Sequence, residues 1–490
     1  MSDRLTFNHG ASALSPRLIG RHERGGRAGR SRHRRDRPDA WSGPGPLARE
    51  GVSRDMARAE RPDLSYWGVF AFTALLFFRP QDTLPMLEPL HLPEIAAVVG
   101  LIAMVLRRAG RGLPPVPAVR DFAPLAAFGG VMLLTAPFSI WPSGALGTFT
   151  DLFLKVVLVF VLLTHALSSP RLLRRFTWLI VVAMGYIAFR GWIDYASGNN
   201  LLQGERLQGA VPGLMGNPND LAMNMVTFLP FAAFAALGRG KALARLFAAG
   251  VTLLMLGTIL FAKSRGGFLA LAVTGVLIVA QSGRLRPGLA ALLVVGTLVA
   301  TPLMPQSFWT RLSSIVNSED DETGSREARV VLLQDGVKAF SDHPFTGVGA
   351  GQFQNYNPPD RQELWRETHN VELQVLTELG LIGGMAFVWM LVQGGRTAFT
   401  VWQALRPRRR LNGAAEADPA FAPHEREWMR AHVGACIAAF AGWLVCAQFG
   451  SIGYYWTLYY VLALIVAARE TLARRLDWAS VGVARGGAAA

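Results

Sequence analysis

Five segments between residues 204 and 384 gather side chains that could hold an anion or move a proton. ERLQGAVPGLMGNPNDLA (205–222) sets Arg206 ahead of an N-P-N-D turn, and KSRGGFLAL (263–271) brings Lys263 and Arg265. SREARVVLLQDGVKAF (325–340) adds Arg326, SDHPFTGVGAGQF (341–353) adds three closely spaced glycines, and THNVELQVLTELGLIGG (368–384) opens beside His369. A guanidinium matches phosphate oxygens two at a time. A neutral imidazole can take the proton of a hydroxyl. Three arginines and one such base around a common point would suit a site that stabilises a departing pyrophosphate while an acceptor hydroxyl attacks.

Each segment has a plainer reading beside the chemical one. Arg265 could snorkel to lipid headgroups. GNPND is turn chemistry, with Asn219 or Asp220 able to cap the helix that follows. GVGAG lacks a P-loop lysine and reads mainly as a tight turn that exposes its backbone; His343, just before Pro344, reads as a turn residue. Asn370 suits an N-cap and Glu372 suits a first turn, where a carboxylate complements the helix dipole. His369 precedes that positive helix end, which keeps the ring neutral as a proton acceptor requires; the alternative is a satisfied interfacial histidine. Gly266 and Gly267 let a neighbouring helix or a ligand come close.

The elements that must position these residues read as membrane spans. Of the 490 residues, 51% are hydrophobic and only 17% charged, against about 25% charged in soluble domains. Long apolar stretches alternate with short arginine-rich connectors. The expected fold class is therefore all-α, a polytopic membrane protein of about 12 transmembrane helices with a large periplasmic loop between spans 9 and 10. The spans lie near 64–78, 92–106, 122–138, 150–166, 173–193, 220–238, 243–262, 265–281, 288–305, 371–394, 430–448 and 452–468.

Orientation follows from the connectors. Arg107, Arg108 and Arg111; Arg171, Arg174 and Arg175; Arg239, Lys241 and Arg245; Arg284 and Arg286; Arg406 and Arg408–Arg410; and Arg469, Arg474 and Arg475 all fall on one side when the N-terminus is cytoplasmic. Short loops on the cytoplasmic face carry such an excess. The chain then divides into a disordered basic cytoplasmic extension (1–62), spans 1–9 (63–305), a periplasmic loop (306–370), span 10 (371–394), a cytoplasmic loop (395–429), and spans 11–12 with a cytoplasmic tail (430–490). Within the periplasmic loop, Val330, Leu333, Val337 and Phe340 recur at helical spacing, so an amphipathic helix is expected there, capped by Ser325 and lying on the membrane or packed on the bundle.

The net charge of +15 does not point to nucleic acid. Much of it sits in the first sixty residues and the connectors, with no aromatic-interleaved basic patch. Residues 1–62 are too rich in Arg, Gly, Ser and Pro to form a core, and they lack the apolar stretch of a signal peptide; translation from Met56 would omit most of them. Cys436 and Cys446, inside an apolar run, read as small buried hydrophobes. The acidic run SEDDE (318–322) reads as a solvated loop, and HEREW (424–428) does not match the zinc pattern HExxH.

GNPNDLA, SRGG (264–267), DHPFTGVGAGQF (342–353) and HNVELQVLTELGLIGG (369–384), in this order and spacing, resemble the O-antigen ligase and polymerase superfamily. FRPQD (78–82) is similar to O-glycosylation ligases associated with exosortase systems. The resemblance implies a twelve-helix membrane glycosyltransferase, which the orientation read from the connectors places in the inner membrane with both termini cytoplasmic and a periplasmic active site. Its donor would be an undecaprenyl-pyrophosphate-linked glycan and its acceptor a hydroxyl of lipid A–core, a glycan or a protein, with no cofactor and no metal. By the same resemblance Arg265 and Arg326 hold the pyrophosphate, His369 activates the acceptor and Arg206 corresponds to the arginine before the N-P-N turn; Asn219, Asn370 and Glu372 support them. A repeat-unit polymerase shares the donor and the fold. A transporter or flippase would call for inverted repeats or an intramembrane charge series, and a non-catalytic scaffold would be expected to lack His369 or Arg265.

Overall fold

Short polar side chains placed ahead of apolar runs start the helices that frame the site. Asp63, Ser169, Asn217, Ser264 and Asn370 each accept backbone N–H groups of the first turn that follows, satisfying donors that would otherwise lack partners at a helix start. Proline follows directly after Ser169 and Asn217, where its missing N–H costs nothing. The computed structural model describes residues 61–114, 116, 119–211, 214–282, 325–358, 366–406 and 421–487, with the backbone alone at 83, 119, 325–329 and 477–487.

The described chain is helical almost throughout. Its main helices are α1 (Leu64–Phe78), α2 (Leu92–Ala109), α3 (Val119–Thr135), α4 (Pro142–Ala166, with an irregular turn at Thr148–Phe153), α5 (Pro170–Ala196) and α6 (Pro218–Leu237). They continue as α7 (Ala242–Ala262), α8 (Arg265–Gln281), α9 (Ser325–Asp342), α10 (Val371–Ala404), α11 (Pro423–Ala447) and α12 (Trp456–Gly487). Among the described residues nine helical stretches are long and apolar enough to cross a membrane. This is a multi-pass membrane protein. Every expected span within the described residues is occupied by a helix; the span at 288–305, the acidic run at 318–322, nearly all of the 1–62 extension and the Arg326 side chain lie outside what is described.

Some bounds differ from expectation. α10 runs on to Ala404 and α11 begins at Pro423, so the connector between them is shorter than 395–429; apolar Ala398 and Val401 keep α10 buried past residue 394. α6 and the first part of α12 lie at the centre of the bundle, with 78% of their apolar windows buried, whereas α2 has 11% and forms its rim. α2 meets α1 where Gly68 faces Gly100 so closely that a Cβ on Gly68 would lie 2.5 Å from the Gly100 Cα. Small residues permit such backbone approach between membrane helices.

α9 forms where the helical spacing placed it. It packs on α10 at Gly336, where a Cβ would collide with Leu373, and buries Leu332 and Ala339 in a small cluster with Val348, Phe353 and Tyr356. Val330, Leu333 and Val337 are each about half exposed on its other side. Both features of the expectation thus meet in one helix: a packed face and an exposed apolar stripe.

Candidate functional site

α6, α8 and α10 start at the same end of the bundle, and their first residues are linked through the turn 448–451 between α11 and α12. The linkage begins at Arg206. Residues Leu201–Leu202 pair antiparallel with Arg206–Leu207, and this small hairpin presents Arg206 to α6 and α7. Arg206 donates from Nε to the Ala262 carbonyl (3.2 Å) and from Nη2 to Asn219 Oδ1 (3.0 Å). The same Asn219 oxygen accepts from Ser264 Oγ at 2.9 Å, and Ser264 caps α8, the helix that Arg265 begins. Asn219 is therefore a junction and not a cap. The cap of α6 is Asn217, whose Oδ1 accepts from both Asn219 and Asp220, because Pro218 fills the first helical position.

Gly266 and Gly267 allow the next contacts. A Cβ on Gly266 would strike the Phe449 ring, and one on Gly267 would lie 2.8 Å from Ala222, so here the paired glycines serve close packing. Next to Phe449, Gln448 donates to Glu372 Oε1 at 2.6 Å and accepts from Asn370 Nδ2 at 3.4 Å. Asn370 caps α10 as expected, accepting from the Leu373 N–H at 2.7 Å. Ser451 closes the circle: its Oγ accepts the His369 N–H at 2.9 Å and meets Thr368 Oγ1 at 2.9 Å.

His369 takes the left-handed conformation, with φ of 52°. Such φ values are uncommon outside glycine but enriched in histidine, and backbone strain at a site persists only where its surroundings enforce it. The enforcing contacts are the Ser451 bond to its N–H and the Thr368 bond to the Asn370 carbonyl. Lys263 stands in the same relation to α8: φ of 46°, one residue ahead of the cap. Unlike half-buried Arg265, Lys263 is buried and pairs with Glu205 at 3.4 Å, so this outward-side cation has a carboxylate of its own.

The glycine-rich segment does something other than cradle a phosphate. α10 is broken at Gly380, whose φ of 65° and ψ of −167° interrupt the helix. The break exposes the Thr377 and Glu378 carbonyls, which accept the N–H groups of Val348 (2.8 Å) and Gly349 (2.9 Å), while Leu381 N–H donates to the Pro344 carbonyl (2.8 Å). Gly347, Gly349 and Gly351 all have positive φ, and a Cβ on Gly349 would overlap the Ser139 hydroxyl. The amides of Val348, Gly349 and Gly351 are committed to α10, and that of Gly347 donates to the His343 carbonyl. Glu378, almost fully buried, accepts from the Gly351 N–H and the Tyr454 hydroxyl, each at 2.8 Å. Sequence reasoning missed Glu378, Tyr454 and Ser139; an acid two turns into an apolar span, within the T-E-L-G sequence, was the available signal.

Glu378 is expected to serve the fold as an acceptor more than as a charge. Truncation to Ala strands the buried Tyr454 hydroxyl and the part-buried Gly351 N–H, and a stranded buried donor costs about 1–3 kcal/mol, so Glu378→Ala is expected to lower the thermal midpoint of the purified protein markedly. Glu378→Gln retains an oxygen that can accept both bonds and should remain close to wild type. Equal losses in both variants would show that charge, and not acceptor geometry, is what the fold needs.

Arg206, Asn219, Arg265, His369, Asn370 and Glu372 are thus connected around one turn, and Asp220 and Glu367 lie within electrostatic reach of each other nearby. The arrangement offers fixed cations and one half-buried imidazole at the mouth of the bundle. Among the described residues no group of three or more His, Cys, Asp or Glu side chains could hold a metal ion. The family model for O-antigen ligase matches residues 250–388, which contain Arg265, Arg326, His369 and the loop docked on the α10 break. No curated protein matches the chain.

Proposed function

We propose, from the O-antigen ligase domain carried by residues 250–388, that this membrane glycosyltransferase moves a glycan from undecaprenyl pyrophosphate to an acceptor hydroxyl on the periplasmic face of the inner membrane. The acceptor oxygen forms a bond to the anomeric carbon as the bond to the pyrophosphate oxygen breaks, with inversion. His369 takes the hydroxyl proton. Arg206, Arg265 and Arg326 stabilise the negative charge that develops on the leaving pyrophosphate, where preorganised donors have their largest effect. The observation that carries this reading is the linkage of the Arg206 and Arg265 helix starts to His369 through the turn 448–451. Neither a nucleotide sugar nor a metal enters the scheme.

Deleting the gene and analysing surface glycan tests the proposal. A ligase leaves finished polymer on its lipid carrier, whereas a polymerase leaves single capped repeats. Unchanged surface glycan with no carrier-bound product would overturn both. The sidedness has its own check, because Cys436 and Cys446 are buried and single cysteines can be introduced at exposed polar positions. Ser197→Cys is expected to react with an impermeant thiol reagent in intact spheroplasts, and Lys241→Cys only after lysis. The reverse pattern would put the site on the cytoplasmic face.

A further inference from the structure

A concavity opens at the same end of the bundle, and all the residues that line it precede the matched family domain. It lies between the end of α1, the last turns of α5 and the 209–211 segment, with a volume of about 110 Å³. That is room for roughly eight water-sized groups, the size class of a single sugar ring. Phe78, Arg79, Asp82, Tyr186, Arg190 and Asp194 supply its chemistry. The FRPQD sequence thus has a place: Arg79 turns the chain in the left-handed conformation and grips Asp82 through two bonds of 2.6 and 3.0 Å.

The lining selects among ligands. Phe78 and Tyr186 stand 5.2 Å apart and give the cavity an aromatic side. Arg190 is exposed, with one long bond to the Tyr186 hydroxyl (3.3 Å). Asp194 is buried and accepts from Asn200 at 2.8 Å through one oxygen. Two guanidiniums alone would suit a phosphate, but each here has a carboxylate in the same cavity, and a phosphate would meet both. Carboxylates accept from hydroxyl donors, guanidiniums donate to hydroxyl oxygens, and aromatic faces cover C–H surface. A neutral, hydroxyl-rich ring satisfies all three.

We infer that the cavity between α1, α5 and the 209–211 segment binds one neutral sugar residue, separately from the Arg265–His369 site. Its position suits a glycan passing along the active face: Leu207, next to Arg206, packs on Gly191 of the cavity wall, and Leu221 of the wall follows Asp220 at the start of α6. The tie to transfer rests on the proposed function; the binding itself does not.

The test uses the full-length protein in nanodiscs, a panel of methyl hexopyranosides as probes and inorganic pyrophosphate as the anion control, read by saturation-transfer NMR. At least one glycoside is expected to bind saturably, to resist competition by pyrophosphate and to weaken fivefold or more in Arg190→Gln and Asp194→Asn. Because Arg190 is exposed, its variant keeps the test valid should Asp194→Asn fold poorly. Arg265→Ala should leave glycoside affinity within twofold, so a failed transfer mechanism and a failed sugar site give different results. In transfer assays, Arg190→Gln raising the KM of the acceptor alone assigns the ring to the acceptor, and raising that of the donor alone assigns it to the donor glycan. No saturable glycoside binding, displacement by pyrophosphate, or equal affinity in Arg190→Gln would overturn the inference, and lost binding with both KM values unchanged would overturn its tie to transfer.

Discussion

Replacing His369 with Asn is expected to lower glycan transfer about 10²–10⁴-fold, the contribution typical of a positioned base, while the protein stays folded. Asparagine is the informative choice because of the backbone. His369 sits at φ of 52°, and asparagine shares with histidine the tolerance for that region, so the turn into α10 survives the change. The N–H bond to Ser451 involves only main chain on the His369 side and survives as well. What is lost is a side chain able to accept and hold a proton. His369→Gln, of similar reach but less suited to the turn, should fall in the same range. Activity within tenfold of wild type in the Asn variant, measured on purified protein with lipid-linked donor, would reduce His369 to an orienting residue.

The second large effect is on folding. Gly380→Ala is expected to cost at least about 3 kcal/mol, which is large for a single substitution. With φ of 65° and ψ of −167°, Gly380 occupies a region open almost only to glycine, at roughly 1–3 kcal/mol for other residues. A Cβ there would also lie 2.3 Å from the carbonyl carbon of Phe345, which is backbone and cannot swing aside. Relief requires the 344–349 segment to leave α10, exposing the Thr377 and Glu378 carbonyls it now satisfies. Gly275→Ala in α8 is the matched control, since a Cβ there meets nothing within 4 Å. Thermal unfolding monitored by size-exclusion chromatography distinguishes them: Gly275→Ala at or above wild type, Gly380→Ala far below. Equal stability of the two would mean that α10 is not broken at Gly380.

These two residues mark how far the sequence could be read. Apolar runs bounded by Asp63, Ser169, Asn217, Ser264 and Asn370 announce their own helices, because periodicity, length and caps are local properties. The start of α10 was legible in full: cap, first-turn acid and preceding histidine stand where they were expected. The break at Gly380 was not, since it depends on a segment more than thirty residues away whose amides replace the lost helical bonds. For the same reason the glycines of 347–351 could be recognised as backbone-exposing but not assigned a recipient. Asn219 and Lys263 depend on neighbours that their own spacing does not reveal. The cap expected of Asn219 or Asp220 is supplied by Asn217, and the outward cation Lys263 has Glu205 beside it. Nothing in FRPQD foretold a cavity, because its far wall comes from α5.

The central claim is transfer from a lipid pyrophosphate, and reconstitution addresses it most directly. The purified full-length protein, in proteoliposomes containing undecaprenyl-pyrophosphate-linked glycan and an acceptor-bearing lipid, oligosaccharide or peptide, is assayed without nucleotide sugar. The account predicts glycan on one of these acceptors with one equivalent of undecaprenyl pyrophosphate released, and both products formed at least about a hundredfold more slowly by the His369→Asn protein, with the Arg265→Ala protein also far below wild type. Transfer that requires a nucleotide sugar, or transfer by the two variants at the wild-type rate, would contradict it.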